Sequence, residues 1–180
     1  MTLSTYITER LHITSKTKPL ERPRPKTRDD LKAIIQEVLK QQGPDADLNF
    51  IDTSEITDMG SLFFDEKIGN IKIGEWDVSN VTNMTYMFYN CTNFNDDLSE
   101  WDVSNVTGMY AMFGNCKKFD CDLSKWDTSN VVEMRVMFAY CDSFKSDLSS
   151  WNVYKVRNHT NMFNMCPNME ANPELQPKFK

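Results

Sequence analysis

The chain has 180 residues, 40% of them hydrophobic, and 20 Lys and Arg against 26 Asp and Glu leave a formal net charge of −6. This length and apolar content suffice for one domain or a short repeat array and exclude a disordered polymer. No stretch approaches the roughly 20 apolar residues of a membrane span, and Met1 to Arg10 lacks a basic-then-apolar leader, so a cytoplasmic chain is expected.

Residues 1–26 read as a basic, Pro-containing arm. From Arg10 to Arg28 seven basic residues face a single acid, Glu21, and Pro19, Pro23 and Pro25 interrupt them, as in an extended linker. Leu3, Tyr6, Ile7 and Leu11 fit a small helix or a docking tail, and the residues do not choose between them. Residues 27–50 supply a capping helix and its connection. Thr27 is the predicted N-cap with Asp30 at N3, Gly43-Pro44 ends the helix, and Leu31, Ile34, Ile35, Val38 and Leu39 share one face. That face is expected to cover the first repeat; the alternative is an amphipathic helix for a partner.

Residues 51–166 repeat. Trp76, Trp101, Trp126 and Trp151 stand 25 residues apart, and each opens a related phrase: WDVSNVTNMTYMFYNC, WDVSNVTGMYAMFGNC, WDTSNVVEMRVMFAYC and WNVYKVRNHTNMFNMC. A degenerate copy occupies 51–75, followed by 76–100, 101–125, 126–150 and 151–166, with 167–180 as a closing segment. Met84, Met87, Phe88 and Cys91 follow the i, i+3, i+4, i+7 spacing of a short helix, and Asn130 with Glu133 resembles a capping box. Trp76 to Val81 is β-branched and aromatic, as a short strand would be. The expected fold is therefore an α/β repeat solenoid, with one short parallel strand and one short helix per 25-residue coil behind an N-terminal helical cap. Its core columns are Trp76, Trp101, Trp126 and Trp151; Phe88, Phe113, Phe138 and Phe163; and Cys91, Cys116, Cys141 and Cys166.

The phrase closely resembles the repeat of the BspA-like bacterial leucine-rich-repeat proteins, W-D-V-S-N-V-T-x-M-x-x-M-F, over roughly residues 51–169. The resemblance implies an atypical leucine-rich-repeat stack of the kind found in surface or adhesin-like recognition proteins, and taken alone it implies the cell surface. The fourth full unit departs from it at Tyr154-Lys155 and His159, and Pro173 stands where the other units have Leu. Such erosion suits a terminal cap.

Candidate chemistry is thin. The in-line Cys column spreads its thiols too far for a four-ligand zinc site and aligns their Cβ vectors badly for disulfides, so buried reduced thiols are expected. Cys121 lies outside that column and is the expected exposed or reactive thiol. The Asp columns at 77, 102, 127 and at 97, 122, 147 lack the Gly-rich pattern of calcium repeats, and side chains bonding their own turns account for them. His12 and His159 are the only histidines, and no motif ties a nucleophile to either. No catalytic residue, metal or cofactor is expected, nor an enzyme.

What varies along the stack is free to recognise a partner. Tyr86, Tyr89, Tyr110, Arg135 and Tyr140 occupy such positions and belong to the residue types enriched at protein interfaces. The expected function is a non-catalytic protein-recognition module. The alternatives are a surface adhesin for host matrix or glycan, and an assembly component, for instance of a phage particle, docked through its N-terminal arm. The acidic array, with 11 basic and 19 acidic residues in 51–180, argues against nucleic acid. Self-association through an exposed edge or the arm is a further option.

Overall fold

The computed structural model describes residues 22–179. Most of the arm, including Tyr6 and His12, lies outside them. From Asp47 onward the chain winds into coils that lie one on another, with parallel bridges joining Asp47 to Lys72, Asp58 to Asn83, Asn83 to Gly108, Gly108 to Glu133 and Glu133 to Asn158.

The α/β description does not survive. Among the described residues these contacts are isolated bridges and no sheet forms, and regular helix is confined to the two ends. The segment Met84–Cys91, expected to be helical, is a run of turns: Met87 N–H bonds Met84 C=O, Tyr89 bonds Tyr86, and Cys91 bonds Phe88. Tyr86 and Asn90 have φ of 58° and 64°, left-handed values that a right-handed helix cannot hold but that the third residue of a type II turn requires. The alternate N–H groups, of Met84, Tyr86, Phe88 and Asn90, leave the segment altogether and bond the carbonyls of Gly108, Tyr110, Met112 and Gly114 in the next coil. The stretch expected as a strand, Trp76–Val81, is also turn: Asp77 Oδ1 accepts the Ser79 N–H at 3.0 Å and Val81 N–H bonds Val78 C=O. The capping box at Asn130 and Glu133 is absent too, since Asn130 donates back to Ser104 C=O and Glu133 accepts the Arg135 N–H.

Side chains between coils stack in register. Phe63, Phe88, Phe113, Phe138 and Phe163 form a column with neighbouring centroids 5.4–5.8 Å apart and planes within 8° of parallel. A second column of Phe94, Phe119 and Phe144 packs beside it, with Phe113 and Phe119 4.1 Å apart. These offset stacks suit the quadrupole of the rings. Each Trp is buried and donates its indole N–H to a carbonyl 28 residues earlier: Trp76 to Leu48, Trp101 to Ile73, Trp126 to Leu98 and Trp151 to Leu123, at 2.9–3.3 Å. A ring that large thus buries its apolar area without stranding its one donor.

Both ends carry helices. Helix α1 spans Arg28–Gln42; the Thr27 side chain accepts the Asp30 N–H at 3.1 Å, and Gly43 leaves the helix at φ 83°. Leu31, Ile35 and Val38 are buried in the core that the coils share. Arg28 and Lys32 reach from α1 to the carbonyls of Gly60 and Ser61 on the first coil, each at 3.5 Å. At the other end α2, Pro167–Ala171, buries Met169, and its Glu170 accepts the Met165 N–H at 2.9 Å. The tail then turns back: Leu175 C=O accepts the Leu148 N–H, and Phe179 lies flat on His159 at 3.8 Å.

Candidate recognition surface

Four of the five predicted surface residues meet. Tyr86 stands edge-on to Tyr89, centroids 5.5 Å apart, and to Tyr110 at 4.6 Å. Arg135 lays its guanidinium over the Tyr110 ring at 4.3 Å, so the cluster crosses three successive coils and gains a cation–π contact. Tyr140 does not join: it is half exposed, at φ 61°, and makes no ring contact with the other four.

Two further residues, missed in the sequence, complete the surface. Phe64 is 42% exposed, stacks on Tyr89 at 5.3 Å and meets Tyr86 edge-on at 5.7 Å. It precedes Tyr89 by 25 residues, so reading the degenerate first coil in the same register as the others would have found it. Lys32 comes from α1, and no repeat spacing could place it. Together Lys32, Ser61, Phe64, Tyr86 and Tyr89 line an open depression of about 530 Å³.

Local backbone makes room for these rings. Gly114 follows Tyr89 in its column, and a Cβ there would come within 2.8 Å of the Tyr89 ring. A hydrogen bond with Tyr110, followed by desolvation, pushes the Tyr86 phenol up to about 12. The surface therefore offers flat apolar faces and, at Tyr86, a hydroxyl that stays neutral at ordinary pH.

The cysteines lie inside. Cys91, Cys116 and Cys141 donate their S–H to the carbonyls of Phe63, Phe88 and Phe113 at 3.0 Å, while Cys166 donates to Cys141 C=O at 3.1 Å. Desolvation is the largest cause raising every thiol, to about 12 for Cys91 and about 11 for Cys166, and well above the usual range for Cys116 and Cys141. The expectation that Cys121 is exposed and reactive is overturned. It is only 7% exposed, its sulfur accepts the Leu98 N–H at 3.1 Å, and burial pushes it to about 12. Asp96 and Ser146, 25 residues either side, do the same work for the Ile73 and Leu123 N–H groups. The position is an internal acceptor for an otherwise orphaned amide.

The Asp columns cap their own turns. Asp97, Asp102, Asp122, Asp127 and Asp147 each accept the N–H two residues on at 2.9–3.0 Å. Hydrogen bonds from the serines at those positions, led by the amide at Asp97 and Asp122 and by the hydroxyl at Asp127 and Asp147, hold these four carboxyls below their ordinary value of 3.8. No group of three or more His, Cys, Asp or Glu that could hold a metal occurs among the described residues, and none of their helices is long and apolar enough to cross a membrane.

A core built by repetition and a ring-lined depression on its side mark a repeat protein with one concentrated aromatic surface. The chain belongs to the family described as "Mycoplasma protein of unknown function, DUF285", whose model matches residues 30–124 and 57–175. No curated protein and no solved structure matches it.

Proposed function

We propose that the chain is a non-catalytic protein-recognition module that binds through Phe64, Tyr86, Tyr89 and Tyr110. One observation carries the reading: four aromatic rings in mutual contact lie at the surface of adjacent coils, beside a depression large enough for a side chain or two. Rigid aromatic faces bury large area at small entropic cost, which makes Tyr a frequent anchor of interfaces. The phrase-level resemblance to BspA-like recognition proteins supports the same reading, and so does the sequestration of every described thiol in the core, away from substrates.

Panning a displayed library of random peptides against the immobilised chain tests it. Enriched peptides are expected to lose binding to Tyr89→Ala and to Phe64→Ala, while Tyr140→Asn, which removes an exposed ring outside the cluster, retains them. Enrichment that survives both cluster variants would refute the assignment. Retention of glycans from an array, with no peptide enriched, would favour the adhesin reading instead.

A further inference from the structure

The rings do not lie on a neutral surface. Lys32 sits at one end of the row and donates to the Ser61 carbonyl at 3.5 Å; Arg135 sits at the other end over Tyr110. Neither forms an ion pair with a carboxylate among the described residues, whereas Lys72, Lys125 and Lys145 elsewhere on the stack pair with Asp96, Glu100 and Asp120 at 2.9–3.1 Å. In a chain of net charge −6, two cations without such partners bracket one aromatic strip.

We infer that this strip takes an extended segment of a partner protein in which two carboxylates flank a short apolar stretch. The inference rests on the recognition reading above and adds the ligand's charge pattern. Ser61, whose carbonyl Lys32 contacts, and Arg135 lie three coils apart, roughly 14 Å at the usual interstrand spacing. An extended chain covers that distance in about four residues, at about 3.3 Å each. A segment with acids at its first and fifth positions thus spans the two cations while its centre lies on Tyr86 and Tyr89. The rings alone would also suit a quaternary ammonium. The Lys32 ammonium in the lining repels a cation, and the Arg135 guanidinium already covers the Tyr110 face.

Fluorescence anisotropy with two labelled peptides tests the pattern: one carries Glu-Leu-Pro-Leu-Glu, its twin has Gln in place of both Glu. Two exposed ion pairs predict about three- to tenfold tighter binding of the Glu peptide at low salt, a gap that closes toward 1 M salt. The same gap should vanish in a Lys32→Gln/Arg135→Gln double variant, whose fold is checked by circular dichroism. Equal binding of the twins, binding of neither, a gap that persists in the double variant, or heparin outcompeting the peptide would each overturn the inference. If the twins bind equally yet library-selected peptides still require Tyr89, recognition stands and only the acidic pattern falls. If Tyr89→Ala leaves Glu-peptide binding unchanged, both fall.

Discussion

Val136 is the most strained residue of its column. It holds φ at 49° with a β-branched side chain, where Ser61, Tyr86, Ala111 and Asn161 hold the same left-handed backbone with less branching. The left-handed region costs an ordinary L-residue about 1–2 kcal/mol, and Asn tolerates it best after Gly. Val136→Asn is therefore expected to raise stability by about 1 kcal/mol, or about 2–4 °C in Tm for a chain of this size; an unchanged or lower melting temperature contradicts the strain. Cys121 supports a paired test. Cys121→Ser should melt close to the wild type, because Ser146 already accepts the equivalent amide at 2.9 Å. Cys121→Ala should lose about 1–3 kcal/mol by stranding the Leu98 N–H. Losses of equal size in the two variants would show that packing, not the acceptor, matters there.

Elements were legible only in part. Helix α1 could be read because Thr27, Asp30 and Gly43 each act on the backbone within one turn, and its buried face follows a local period. The 25-residue register is equally visible, since Trp and Phe columns repeat in the sequence and stack in space. The interior of each coil was misread because i, i+3, i+4, i+7 spacing is shared by a helix and by consecutive turns whose alternate amides bond elsewhere. What separates the two is positive φ at positions such as Tyr86 and Val136, and residue types give little sign of it there. Tyr86, Tyr89 and Tyr110 could be picked as a variable surface, but Lys32 could not, for its place depends on how α1 docks. The Asx turns make a prediction of their own. The Asp97, Asp122 and Asp127 carboxylates titrate below 3.8 when folded, so the stabilisation is present above that pH and is lost as pH falls through the lowered values. Thermal melts from pH 5 to pH 2 should show the midpoint falling most steeply below about pH 4, the unfolded carboxylate range. A flat profile would mean that the turns do not need the charged form.

At the scale of the whole molecule, stability lies between neighbouring coils. Trp101 is 4% exposed and hydrogen-bonded to Ile73, so Trp101→Ala should cost about 3–5 kcal/mol by hollowing the core, whereas Tyr110→Ala at the surface should cost far less. Equal denaturant midpoints for the two would contradict the column. The thiols set an alkaline limit. Each is raised above 9.0, so the unfolded chain gives up its protons first; their contribution is complete below about pH 9 and disappears as pH climbs toward 12. Melting temperatures should accordingly decline from pH 9 upward.

The amide pairing has an electrical consequence. Met84, Tyr86, Phe88 and Asn90, and their counterparts in each coil, aim their N–H groups at the following coil, while Thr82, Thr107, Val132 and Arg157 aim back. Peptide dipoles of about 3.5 D that align in this way leave the first coil with a negative pole and the last with a positive one, the reverse of an α-helix, whose N-terminal end is positive. Arg28 and Lys32 stand at the negative pole and Glu170 at the positive one. Each terminus thus neutralises the field that coil addition would otherwise build up.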